Sequence, residues 1–276
     1  MPVSLTIRLQ GEEGQRHGSY MASLMQGVLM EKVETDFARA LHENRIHPYS
    51  QYVLAAGNDI TWTVNALSDE GKSQLIDPLM ENLKDTIFLS HREETLQVLE
   101  KSLVRTDYEE LIEKYYFGSC RRDLHISFLT PASFKQNGKY CIFPTARLFF
   151  QSLMLRYDAG SKDSRIYSEE MVNEFEQYAE ITDYRLRSVK YSMEGVRIPS
   201  FIGDCTFLIR GPQQLVNVAH LLAQAGCYTG VGIKTGMGMG AMSVRETKDY
   251  NKRHDKTAAG SRIAEREVTE DGGPAI

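Results

Sequence analysis

The sequence predicts an α+β protein with antiparallel sheets. Two patterns carry that prediction. From Val3 to Val104 the apolar periodicities follow the order β-α-β-β-α-β, which is the ferredoxin-like unit. From Leu124 onward a strand, a small hairpin, a helix, a long hairpin, a last helix and a strand follow, an order that allows the same unit again.

Taken in order, Val3 to Leu9 alternates apolar and polar residues and predicts a strand. Tyr20 to Val33 predicts a helix with Met21, Leu24, Met25, Val28 and Leu29 on its apolar face. Thr35 or Asp36 can cap a short helix from Phe37 to Glu43, and Pro48 then forces extended chain. Tyr49 to Ala55 and Asp59 to Leu67 predict a hairpin about Gly57-Asn58. Lys72 to Leu83 predicts a helix, Thr86 to Val104 is strand-rich, and Tyr108 to Tyr115 is a charged connection.

In the second half Leu124 to Leu129 predicts a strand, and Phe134 to Phe143 a small hairpin about Asn137-Gly138. Thr145 to Tyr157 predicts a helix with Leu148, Phe149, Ser152 and Leu155 on one side, followed by an acidic helix from Ser168 to Tyr178. Thr182 to Met193 and Val196 to Ile209 form a long hairpin about Glu194-Gly195. The last helix, Pro212 to Ala225, carries Leu215, Val218, Leu222 and Ala225 on one face, and Met237 to Val244 reads as the closing strand. Lys248 to Ile276 is polar and is expected to be disordered.

The chain has 276 residues, 42% of them hydrophobic and 25% charged, an ordinary composition that can bury a sizeable core. No apolar run approaches a membrane span, and Met1 to Gln10 has no signal-peptide architecture. Cys120, Cys141, Cys205 and Cys227 lie far apart, which argues against a zinc site or disulfide framework and fits a reducing cytoplasm. The net charge is −5, but acid gathers between Asp69 and Glu113. Base gathers between Arg121 and Arg165, and a local basic face can bind phosphates whatever the total charge.

The densest glycine stretch, Gly226 to Gly240, carries a single charge, Lys234. It lies between a helix and a strand in that order, the reverse of a dinucleotide fingerprint, and Ile233 separates Gly232 from Lys234 with no helix following, which argues against a P-loop. Two readings remain. The glycines admit positive φ and close ligand approach, successive N–H groups form an anion nest, and Gly238 and Gly240 share a flat strand face suited to a ribose-phosphate backbone. Alternatively, the glycines only let the helix pack tightly on the sheet.

Of seven histidines, His17, His91, His125, His220 and His254 read as surface or structural residues, and no spacing suggests a metal ligand set. His42 and His47 differ. His42 ends the short helix, His47 follows across a turn that includes Arg45, and Tyr49, Ser50 and Tyr52 come next. Two imidazoles, a guanidinium and phenols in so short a span suit proton transfer at a phosphate. The plainer alternative is a capping His42 and a surface His47.

The run Gly230-Val-Gly-Ile-Lys-Thr-Gly-Met-Gly-Met-Gly240 resembles the C-terminal glycine-rich motif of the CRISPR-associated endoribonucleases that cut precursor CRISPR RNA within its repeats, the Cas-six family of the RAMP superfamily. Phe128-Leu-Thr-Pro-Ala-Ser-Phe134, Ile142-Phe-Pro-Thr145, Gln151-Ser-Leu153 and Ile198-Pro-Ser-Phe-Ile-Gly203 are similar to it as well. The resemblance runs from residue 3 to residue 246 and is strongest in the C-terminal half. It implies two tandem ferredoxin-like (RRM-like) domains, 1–118 and 119–246, followed by the tail 247–276.

It also implies an activity. Leu41-His-Glu43 resembles the family segment whose histidine acts in cleavage, so His42 takes that role. His47 stands near a position where the family often has lysine, and Met30 where some members carry a tyrosine, which passes any tyrosine role to Tyr49 or Tyr52. The implied reaction needs no metal and no cofactor. The ribose 2′-OH attacks the adjacent phosphorus, leaving a 2′,3′-cyclic phosphate and a 5′-OH end, with His42 and His47 sharing the proton transfers and Arg45 or Lys234 steadying charge. The implied RNA contacts are Arg45, Arg121, Arg122, Lys135, Gly230, Gly232, Lys234, Thr235, Gly236, Gly238 and Gly240.

The implied partner is CRISPR repeat RNA, with a CRISPR effector complex as a candidate further partner, no membrane, and a monomer or homodimer as the assembly. The alternative function is a non-catalytic RNA-binding RAMP subunit of an effector complex. A ferredoxin-like regulatory domain without RNA is a third reading, and the basic second half and the glycine loop count against it.

Overall fold

The computed structural model describes residues 2–245, except 32, 35, 36, 38, 40, 42–45, 48, 162–164 and 194. The first strand, β1 (Val3–Gln10), buries Val3, Leu5, Ile7 and Leu9 and turns the residues between them outward, as its period-2 pattern requires. The helix α1 (Met21–Met30) lays Met21, Ala22, Met25 and Leu29 on that buried face. The hairpin of β2 (Tyr49–Ala56) and β3 (Asp59–Ala66) turns at Gly57, whose φ of +64° suits glycine. A helical stretch, α2, follows in three contiguous pieces, Asp69–Gly71, a π-type turn Lys72–Ile76 and Asp77–Asn82. It starts earlier than expected because Ser68 Oγ caps it by accepting from the Gly71 amide at 3.1 Å.

With β4 (Thr86–Leu89) and β5 (Glu94–Arg105) the strands form one antiparallel sheet in the order β2-β3-β1-β5-β4. The short connection α3 (Tyr108–Leu111), continued by a π-type turn Ile112–Tyr116, leads to the second sheet. There β6 (Asp123–Ala132) precedes a small hairpin, β7 (Phe134–Gln136) and β8 (Lys139–Cys141), turned by Asn137 and Gly138 at φ +50° and +78°. The helices α4 (Ala146–Gly160) and α5 (Glu169–Tyr178), the long hairpin β9 (Ala179–Met193) and β10 (Val196–Ile209), the helix α6 (Gln213–Thr229) and the strand β11 (Met242–Arg245) complete it.

The second sheet has the order β11-β6-β10-β9. In the first sheet β1 lies between β3 and β5, with β4 added at the edge, and in the second β6 lies between β10 and β11, so the fold is α+β with two tandem ferredoxin-like sheets. The second core is aromatic. Phe149 stacks on Phe207 at 4.8 Å and Phe150 on Phe175 at 4.0 Å between ring centroids.

Two expectations change. The buried face of α4 is Phe149, Phe150, Leu153, Met154 and Tyr157, while Leu148, Ser152 and Leu155 line a cleft instead. The helix carries two apolar stripes, and periodicity alone does not rank them. The closing strand begins at Met242, because Gly238 and Gly240, at φ +94° and +69°, leave the extended region before it. Of the short helix expected from Phe37 to Glu43, Phe37, Arg39 and Leu41 are helical, with Phe37 and Leu41 in the first core; its remaining positions, and the tail expected to be disordered, lie outside the described residues.

His17 has a structural role. Its Nε2 lies 2.6 Å from Glu94 Oε1 and its Nδ1 3.0 Å from Gly57 O, with both the His17 and Glu94 side chains at 0% exposure. Arg92 Nε donates to Glu94 Oε2 at 2.8 Å. Burial by itself would raise the Glu94 carboxyl, but the hydrogen bonds from His17 and Arg92 outweigh it and hold the group low. A lowered carboxylate contributes stability above its unfolded-state value, and that contribution is lost as pH falls through the folded-state value. Glu94→Gln keeps the shape and leaves two donors facing no anion. We expect it to destabilise the protein by about 3 kcal/mol at neutral pH, read by urea unfolding, with the difference from wild type shrinking as the pH falls into the acid range.

Candidate functional site

A cleft of about 700 Å³ opens between the segment leading into β2, the β7–β8 hairpin, α4 and the glycine loop. Its wall is built from the start of β2. Tyr49 is fully buried, and its ring stacks on His47 at 5.6 Å with an interplanar angle of 21°, which holds the imidazole at the cleft. The glycine loop closes over the pair. A Cβ at Gly236 would stand 2.9 Å from His47 Nδ1 and 3.1 Å from the Tyr49 hydroxyl, so only glycine lets the backbone approach this closely. Gln51 Nε2 pins the loop there by donating to Gly236 O at 2.9 Å.

This geometry bears on the candidate role of Tyr49. Burial pushes its hydroxyl up to about 12, and the ring stands behind His47 rather than open to a ligand. Tyr49 backs the His47 ring. His42 and Arg45, the other candidates of that segment, lie outside the described residues.

The geometry of the glycine loop bears on its two readings as well. Its amides are largely taken by the protein: Gly232 N–H donates to Ser152 Oγ at 2.8 Å, Ile233 N–H to Ser133 O at 2.9 Å, Val231 N–H to Gly240 O at 2.9 Å and Gly240 N–H to Pro131 O at 3.0 Å. These donors form no open anion nest. Gly230, Gly238 and Gly240 are buried. A Cβ at Gly238 would meet Ala22 Cβ at 2.2 Å and one at Gly240 would meet Val231 O at 1.9 Å, a close approach that favours the packing reading for these two glycines. Gly232, Lys234, Thr235 and Gly236 do line the cleft, with Lys234 exposed and left-handed at φ +56°.

Three cations therefore share the cleft wall: Lys234, Lys135 and Arg156. Lys135, on β7, is exposed and holds its Nζ 5.9 Å over the Tyr140 ring, which also lines the cleft. Arg121 and Arg122 are not brought there. Arg122 Nη1 donates to Ile209 O at 2.9 Å and Gly211 O at 2.8 Å, and Arg121 sits 3.5 Å from Asp123, both at the outer end of β6. Their predicted phosphate contacts have no place in this cleft.

Arg156 was not singled out from the sequence. It lies one turn after Ser152 on α4, and together they grip the loop: Arg156 Nη1 donates to Thr235 Oγ1 at 2.7 Å and Nη2 to Gly232 O at 2.7 Å, while Ser152 takes the Gly232 amide. The available signal was a serine and an arginine four residues apart, Ser152 and Arg156, between apolar residues of the helix. Among the described residues no group of His, Cys, Asp and Glu could hold a metal ion, and no helix is long and apolar enough to cross a membrane.

The family model described as CRISPR-associated endoribonuclease Cas6 matches residues 126–242. The CRISPR-associated endoribonuclease Cas6 of Mycobacterium tuberculosis (strain CDC 1551 / Oshkosh) is 30% identical over 244 residues, which cover 88% of this chain and 77% of that protein. The protein of the same name from Streptococcus thermophilus is 30% identical over 233 residues, 83% of this chain and 93% of its own length. Among solved structures, a Cas6 product complex superposes with a TM-score of 0.75 at 23% identity, covering 89% of this chain and 100% of that one. Thermus thermophilus Cas6 does so with a TM-score of 0.70 at 22% identity, covering 89% and 98%. The structural matches carry the fold, and the two sequence relatives carry the family. This chain belongs to the family of CRISPR-associated endoribonuclease Cas6.

Proposed function

We propose that the protein is a metal-independent endoribonuclease that cuts precursor CRISPR RNA within its repeats. The observation that carries this reading is an imidazole, His47, in a cleft walled by Lys135, Lys234 and Arg156. Cations draw a phosphate in, and an imidazole beside it can move a proton near neutral pH. The two sequence relatives, both named as endoribonucleases, support the same reading.

The chemistry follows from RNA itself. A base takes the ribose 2′-OH proton, O2′ bonds to the adjacent phosphorus, the P–O5′ bond breaks, and an acid protonates the departing O5′. His42 and His47 share the two proton transfers, and the cleft cations steady the charge that builds on the phosphorane. The ends are a 2′,3′-cyclic phosphate and a 5′-hydroxyl. DNA lacks the 2′-OH and is bound without being cut.

The test is incubation of the protein with repeat RNA from its host's own CRISPR array in excess EDTA, with the ends mapped by mass. Cutting should persist and leave the cyclic phosphate. Complete loss in chelator, restored by magnesium or manganese, sinks the mechanism. RNA that is bound but never cut under any condition turns the reading to a non-catalytic RAMP subunit.

A further inference from the structure

Arg156 retains only 8% of its surface, and its environment is unusual for a buried cation. The other arginines of the described residues include several paired ones: Arg92 holds Glu94, Arg147 on the same helix holds Glu169 and Glu176, and Arg210 holds Glu180. Arg156 has two neutral acceptors, Thr235 Oγ1 and Gly232 O, and no carboxylate of the described residues within ion-pair distance. Burial lowers its guanidinium to about 10, with no anion to offset it. Leaving a buried charge without a counter-charge costs several kcal/mol, a cost that a bound anion offsets.

The geometry names the position of that anion. Arg156 lines the cleft beside Ser152, Lys234 and Thr235. A guanidinium offers five N–H donors in a flat fork, and only two are spent on the loop. We propose that Arg156 binds a phosphate of the cleft's RNA through its remaining N–H groups, and that its two bonds to Thr235 and Gly232 set the distance between that phosphate and His47. This assignment rests on the reading that the cleft takes RNA. It gives Arg156 two connected roles, the counter-charge of the bound backbone and the clamp of the glycine loop.

The experiment uses the full chain, Arg156→Gln and Arg156→Lys, and the host's repeat RNA with a 2′-deoxy nucleotide at the mapped cut. Glutamine keeps a hydrogen-bond donor for the loop and removes the charge, whereas lysine keeps the charge. Binding is titrated across salt concentrations. Arg156→Gln should weaken binding about tenfold and flatten the salt dependence of log K by about 0.7, the share of one phosphate contact on a single strand. Arg156→Lys should keep the wild-type slope. A folded Arg156→Gln protein with the wild-type slope overturns the proposal and leaves a loop clamp alone.

A second measurement needs only the wild-type fold. In protein labelled with 15N-arginine, the Arg156 guanidinium resonance, assigned by its loss in Arg156→Lys, should shift on adding the RNA; an unmoved resonance overturns the proposal. Neither arm requires cutting, since RNA that is not cut is titrated unmodified. A wild-type protein that binds the RNA but does not cut it overturns the nuclease reading, while the slope and the resonance still decide for Arg156.

Discussion

His42→Ala should slow single-turnover cleavage of a repeat RNA by roughly 10²–10⁴-fold, the range a positioned general acid or base supplies. His42 lies outside the described residues, but its neighbours frame the expectation: Leu41 is buried in the first core, and His47 is stacked on Tyr49 at the cleft. Binding should survive, because phosphate affinity is spread over several cations. His47→Ala should also slow cleavage, by less if Lys234 and Arg156 share the charge. The measurement pairs single-turnover rates with a titration on the 2′-deoxy substrate. A folded His42→Ala protein that cuts at the wild-type rate removes the catalytic assignment and puts the RNA-binding subunit ahead.

The parts of this fold legible in the sequence are those fixed by short-range pattern. The alternation of β1, the Gly57 and Asn137-Gly138 turns and the long hairpin about Gly195 all follow from neighbouring residues. The parts not legible depend on what is brought from afar. Glycines at 236, 238 and 240 mimic the period of a strand, and only their left-handed backbone at 238 and 240 separates a packed loop from one. Glu94 read as one acid among many until His17 and Arg92 closed on it. Arg156 read as part of a basic run, and its burial exists only because the glycine loop folds back onto α4. At the candidate site the sequence singled out His47 and Lys234, which the fold brings to one cleft, but its local pattern carried no sign that Tyr49 stacks behind His47 or that Arg122 bonds Ile209 O and Gly211 O.

The second large effect concerns Gly240, and it decides between the two readings of the glycine loop. Gly240→Ala places a Cβ 1.9 Å from Val231 O, a backbone atom that no side-chain rotation can move, at a φ of +69°. The left-handed backbone costs alanine roughly 1–2 kcal/mol. Relieving the clash means pulling apart Val231 N–H···O Gly240 and Gly240 N–H···O Pro131, which join the loop to itself and to β6. Together these amount to about 3–5 kcal/mol, enough to threaten a protein of ordinary stability. Gly138→Ala is the matched control, since Gly138 has φ +78° and nothing within 4 Å of the added Cβ, so it should cost only the backbone strain. Urea unfolding of both variants measures the difference, and RNA affinity of Gly240→Ala should fall only as far as the folded fraction does. Equal, small costs at the two positions would mean that Gly240 is not held for packing, and would return it to the ligand.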